Sequence, residues 1–219
     1  MTEARTEILE RIRSSLGGAQ PAPAKIERNY RITGELDTES RIKLLINRLD
    51  DYDATVQRVP TADIANAIAE FLGDDASVVV PDDLPGEWLD FATAGDGGSE
   101  PPKILRDSIA NPLDTETIDT VDAVVTGSFV SIADTGTIVL VGAECGRRAI
   151  TLVPDHHVIV VRAVDIVDIV PEGIRRIVDA GLDTEPITMV SGPSATVDIE
   201  FIRVHGVHGP RRLDVIIAE

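Results

Sequence analysis

The chain is poor in four things, and each shortage removes a class of function. It has one cysteine, Cys145, in 219 residues. It therefore cannot close an intramolecular disulfide, nor by itself hold an iron–sulfur cluster or a zinc finger. Any redox centre has to come from a partner or a diffusible cofactor. Aromatic residues make up 3% against 43% hydrophobic overall, which leaves a core of Val, Ile, Leu and Ala and favours buried parallel strands flanked by helices. No apolar run approaches the ~20 residues of a membrane helix, and MTEARTEILERIRSS lacks the apolar centre of a secretory signal, so a cytoplasmic protein is expected. Bases are scarce as well: residues 61–146 hold seventeen acids against Lys103 and Arg106, within a net charge of −18. A nucleic-acid binder shows a basic patch or stripe, so that class is disfavoured, and the acidic middle reads as a solvated face.

The usual sequence signatures of catalysis are missing too. There is no GxGxxG, Walker loop, nucleophile elbow or CxxC, and no HxxxH on a helical stretch. His205-x-x-His208 on a glycine-rich loop does not make a metal set, so no metal is expected and the four histidines are read as hydrogen-bonding groups.

What is present alternates. Residues 2–15 and 38–50 read as amphipathic helices, the second with Ile42, Leu45, Ile46 and Leu49 on one stripe behind an Asp37 or Thr38 cap. From there ATVQRV (54–59), a helix over 61–73 and SVVVP (77–81) make a βαβ unit. Residues 82–120 are irregular and acidic, with Trp88 and Phe91 pinning them to the core and a strand over 103–107. Strands are predicted over 122–127, 149–154, 156–162 and 213–219, a hairpin over 128–142 bent at Ala133–Thr137, and a helix around 172–180. This predicts an N-terminal helical segment and linker over 1–53, followed by one open-sheet α/β domain over 54–219.

The polar groups gather in the last third. An apolar run ends at Val190 and breaks into Ser191-Gly192-Pro193-Ser194, a strand entering a tight loop, with Ser194 or Thr196 placed to cap a short helix. Thr196, Asp198 and Glu200 follow, then His205, His208, Gly209, Pro210, Arg211 and Arg212. Asp134 lies between two apolar runs, where an unpaired carboxylate would be costly. Arg147, Arg148, Arg211 and Arg212 are the residue type that grips a carboxylate or phosphate through two parallel hydrogen bonds. Read from its residues alone, Cys145 is a lone buried cysteine and Asp134 is either a ligand contact or a turn residue bonding its own backbone.

Taken together, SIADTGTIVLVG, LVPDHHVIVV, SGPSATVDIE and GVHGPRRLDVII resemble the LutC/YkgG family, also called the LUD domain, in order and spacing over roughly residues 55–219. The resemblance implies a fold similar to the NagB/RpiA/CoA-transferase-like superfamily. It implies a place in a three-protein system oxidising L-lactate to pyruvate, in which two other proteins carry the iron–sulfur clusters and this chain carries no cofactor. The matching positions are Asp134, Thr135, Gly136 and Thr137, then His157, then Ser191, Gly192, Pro193, Thr196, Asp198 and Glu200, then His208, Gly209 and Pro210. Asp134 departs from the pattern, since the family usually has a glutamate there, one methylene longer.

Two readings follow. In the first, a non-redox subunit of a lactate-oxidising complex binds its iron–sulfur partners and lactate or pyruvate, with Arg147 or Arg211 on the carboxylate and His157 or His208 on the hydroxyl or its proton. In the second, a stand-alone CoA-transferase-like or cyclo-ligase-like enzyme uses Asp134 as acyl acceptor or base and the loop at Ser191–Ser194 for a phosphate or carboxylate.

Overall fold

Runs such as Val78-Val79-Val80 and Val158-Ile159-Val160-Val161 leave no polar face, so the strands that carry them must be covered on both sides. The computed structural model, which describes residues 3–17, 26–27, 29–92, 101–196, 204–206 and 208–219, shows how. Six strands form one fully parallel sheet: β1 (Thr55–Val59), β2 (Ser77–Pro81), β3 (Lys103–Asp107), β4 (Ala123–Thr126), β7 (His156–Arg162) and β12 (Arg212–Ala218). Their order across the sheet is β1-β12-β7-β4-β2-β3.

One face, through Val78, Val80, Val125, Val158, Val160 and Ile216, packs on helix α3 (Ile64–Leu72) and on Trp88. Trp88 is buried in a 3-10 turn under the guanidinium of Arg162, 5.0 Å from its ring centre. The other face, through Ile159, Val161, Leu213, Val215 and Ile217, packs on helix α2 (Thr38–Asp50) and on the inner side of a second sheet. That sheet has the order β8-β5-β6-β9, from β5 (Val130–Ile132), β6 (Thr137–Leu140), β8 (Ile166–Val167) and β9 (Thr188–Val190). Alternation along β6 divides its work: Ile138 and Leu140 join the main core, while Val139 packs outward toward helix α5 (Val170–Asp179).

The chain forms two compact units, Met1–Arg31 and Ile32–Glu219. The first contains helix α1 (Glu3–Ser15). Helix α2, grouped by sequence with the N-terminal segment, belongs to the second unit because Ile42, Leu45 and Leu49 are each at most 1% exposed in its core. Asp37 caps α2 by accepting the Ser40 N–H at 2.7 Å.

Four sequence expectations change. Residues 149–154 are a run of turns, with Ile150, Thr151 and Leu152 N–H groups bonded to carbonyls three residues back. The reason is packing: Ile150 has to turn in against Val79 and Val124. The helix that Ser194 would cap is replaced by β10 (Ala195–Thr196), which pairs antiparallel with β11 (Val204–His205), while the stretch that Thr196 would cap lies outside the described residues. The acidic stretch over 82–120 includes a helix, α4 (Thr115–Asp119), capped by Asp114 on the Thr117 N–H. Helix α5 begins two residues earlier than expected because Pro171 fits its first turn and Glu172 accepts the Asp168 and Ile169 N–H groups ahead of it.

Candidate functional site

Strand β7 opens with two histidines, and alternation sends them to opposite faces of the sheet. His157, 1% exposed, turns toward the second sheet and bonds the Thr126 hydroxyl through Nε2 at 2.9 Å. Burial, together with the neighbouring His156, pushes its pKa down to about 3. His157 is thus a neutral hydrogen-bonding group at ordinary pH, not a proton carrier, which corrects one of the roles the sequence offered for it.

His157 lines a cavity of about 170 Å³ with Ser191, Gly192, Pro193, Ser194, His208, Gly209 and Pro210. The loop after β9 and the loop before β12 are far apart in sequence but braced by one residue. Ser194 donates its N–H to the Pro210 carbonyl at 2.7 Å, accepts the Gly206 N–H at 2.7 Å, and takes the His208 N–H on its hydroxyl at 3.0 Å. Gly192 sits where any Cβ would stand 2.7 Å from Tyr52 Cβ and 2.9 Å from its carbonyl oxygen, so the loop reaches its position only with glycine there.

The bend at Ala133–Thr137 joins this site from behind. Because β6 pairs with β9 at Ile138 and Val190, Thr137 comes beside Ser191, and the hydroxyls of Thr135, Thr137 and Ser191 form a chain with spacings of 2.8 and 3.1 Å. Gly136 is buried at the bend against Arg48. Asp134 is not held between apolar walls as expected. It is exposed at the tip of the turn, tied through its backbone to Asp168 and Arg48, and it does not line the cavity.

The arginines expected to hold a carboxylate are occupied. Arg147 forks onto the buried Asp107 (Nε–Oδ2 2.9 Å, Nη2–Oδ1 2.6 Å) and also donates to the Leu113 carbonyl. Arg211 is paired with Asp155. Neither lines the His157 cavity. Thr196 lies in β10, and Asp198 and Glu200 fall outside the described residues.

On the opposite face of β7, His156 stands between Asp75 (Nδ1–Oδ2 2.6 Å) and the fully buried Asp214 (Nε2–Oδ2 2.9 Å), and Arg212 also reaches Asp214 at 2.7 Å. Both ring nitrogens of His156 are thus taken up by carboxylates. This cluster was not foreseen, nor was Thr126. The available signal for each was a single polar residue inside an apolar strand, Asp214 in LDVIIA and Thr126 in AVVT. Cys145 is buried, and burial pushes its thiol up to about 12, so it stays protonated and inert. Among the described residues no group of three His, Cys, Asp or Glu side chains is placed to hold a metal, and no helix is long and apolar enough to cross a membrane.

Against known proteins, the LUD domain matches residues 42–218. Lactate utilization protein C of Deinococcus radiodurans is 39% identical over 216 residues, covering 98% of this chain and 95% of that protein. The YkgG protein of Escherichia coli (strain K12) is 27% identical over 98% of both chains. The crystal structure of a DUF162 family protein from Deinococcus radiodurans superposes with a TM-score of 0.67 at 35% identity, covering 84% of this chain and all of that one. With a family match running from α2 to the last strand, the chain belongs to the LUD domain family, among relatives that carry the name lactate utilization protein C.

Proposed function

We propose that this chain is the cluster-free component of a cytoplasmic system that oxidises L-lactate to pyruvate, with iron–sulfur partner proteins carrying the electrons. The observation that carries the reading is the 39% identity, over nearly the full length of both chains, to a lactate utilization protein C. The inert Cys145 supports it, since the described chain offers no thiolate of its own for electron transfer. The parallel six-stranded sheet supports kinship with the NagB/RpiA/CoA-transferase-like superfamily, which we propose on that architecture.

In this reading the His157 cavity receives lactate or pyruvate. At about 170 Å³ it suits a three-carbon acid, and its polar groups are neutral donors and acceptors: His157 and the hydroxyls of Ser191 and Ser194. A carboxylate needs water or a donor to stay ionised, so it points to the open mouth beside the exposed His208, while the hydroxyl or keto oxygen turns inward to His157. His208 is then the group that handles a proton. Arg147, Arg211 and Asp134 have no part in this site. The stand-alone transferase or cyclo-ligase reading needs Asp134 as acyl acceptor and gains no support from a residue at the tip of an exposed turn.

The test is L-lactate-dependent dye reduction by the tagged chain, purified gently and without oxygen from lactate-grown cells. Activity accompanied by co-purified iron–sulfur proteins is the expected result. A colourless, inactive and partnerless preparation contradicts the reading.

A further inference from the structure

A larger crevice of about 820 Å³ lies elsewhere, and no role has been given to it so far. It opens beyond Pro81 and Asp107, the last residues of β2 and β3. The chain runs from β2 out to the edge strand β3, then returns to β4 on the other side of β2 and continues through β7 to β12. The crevice therefore lies outside the carboxyl ends of β2 and β3, the end of an open α/β sheet at which ligands bind, next to the β2–β4 junction where the strand order reverses.

Its wall is fixed in advance. The fork of Arg147 on Asp107 ties the end of β3 to the segment after β6, and a partly buried pair of this kind contributes more to geometry than to stability. Gly146, with φ +68°, brings that second segment so close to the end of β2 that a Cβ would lie 2.9 Å from Pro81 Cγ. This strut leaves Arg148 at the crevice with its guanidinium unused. Every other arginine among the described residues of the Ile32–Glu219 unit has an oxygen partner, in a chain with 38 acidic residues; Arg148 has none among them. Across the same crevice the carboxylates of Asp82, Asp83 and Glu185 also lack partners among the described residues, and the remaining wall is mainly apolar, including Ile109, Ala110 and Leu182.

We infer that this crevice is a second ligand site, for an organic monocarboxylate larger than lactate that has an apolar body and a hydroxyl or ammonium group near its carboxylate. Arg148 takes the carboxylate through a charge-assisted fork. The rim carboxylates accept from the hydroxyl or ammonium group, and they repel a polyphosphate. The apolar wall covers the body. The inference does not depend on the lactate reading and is tested by binding alone.

The probes are 3-phenyllactate and phenylalanine, titrated into the purified full chain by calorimetry, with 3-phenylpropionate and inorganic pyrophosphate as controls. Saturable one-to-one binding of at least one of the two probes, with both controls weaker, is expected. Arg148→Gln then weakens that probe at least about ten-fold, as loss of a charge-assisted pair requires, and leaves the thermal midpoint unchanged because Arg148 holds nothing in the free protein. Ala110→Trp, on the exposed rim, blocks the same binding. No saturable binding of either probe overturns the inference, as does binding that survives Arg148→Gln at full strength or pyrophosphate binding more tightly than the probes.

Discussion

On one face of β7, His156 stands between the carboxylates of Asp75 and Asp214, with Arg212 on the same Asp214. On the other, His157 has the Thr126 hydroxyl as its hydrogen-bond partner and looks into a small cavity between two loops. The residue type is the same and the positions are adjacent. Their partners divide the outcomes: both ring nitrogens of His156 are taken by carboxylates, tying the turn before β2 to β7 and β12, whereas His157 is kept neutral and is available to a ligand. Chemical identity alone would have assigned both histidines the same role.

Removing the ionic side of this contrast has the largest expected effect. Asp214→Ala leaves His156 Nε2 and the Arg212 guanidinium without their buried partner and should cost about 3–5 kcal/mol in urea unfolding. A loss below about 1 kcal/mol would mean that the cluster does not hold these strands together.

The neutral side shows itself in pH dependence. The ordinary pKa of a histidine is 6.5, and burial lowers that of His157 to about 3. Between those values the unfolded chain binds a proton that the folded chain refuses. The contribution of His157 to stability is therefore complete above about pH 6.5 and is lost as pH falls toward 3, on the order of a few kcal/mol in all. Stability measured from pH 7 to 5 should fall less steeply in His157→Gln than in the parent chain. That window lies above the range in which Glu39, lowered to about 2 by its hydrogen bonds with Arg58 and Lys43, gives up its own contribution. Parallel curves for the two proteins would contradict a neutral, buried His157.

Thr126→Val removes the hydroxyl bonded to His157 and should destabilise by about 1–2 kcal/mol. The smallest effect is expected at Asp134. Asp134→Asn, on an exposed turn, should stay within about 0.5 kcal/mol of the parent by thermal unfolding. A large loss there would restore the buried-carboxylate reading.

Periodicity made most of the frame legible. The runs at 77–81, 156–162 and 213–219 are strands of the main sheet, the hairpin bends at Asp134–Gly136, and α2 shows its buried stripe. The grouping of the Ser191–Ser194 loop with His157 and the loop at 208–210 was also legible, because those motifs share a family pattern. Pair identities were not. Whether Arg147 grips a substrate or Asp107 depends on where two segments 40 residues apart meet, and sequence spacing does not carry that. Asp134 failed for a related reason: flanking apolar residues implied burial, but a hairpin turn lifts its tip out of the core whatever its neighbours are. The strand expected over 149–154 has β-forming residues, yet Ile150 is buried under the sheet by a turn, a case in which tertiary packing overrides local preference.

The most direct measurement is a nitrogen-detected NMR titration of the histidine and arginine side chains with L-lactate and with pyruvate. The account predicts saturable shifts of the His157 and His208 rings, with His157 neutral throughout and the Arg148 guanidinium unmoved. Histidine signals that stay fixed while Arg148 responds, or no response at any side chain, would contradict the placement of the three-carbon acid in the His157 cavity.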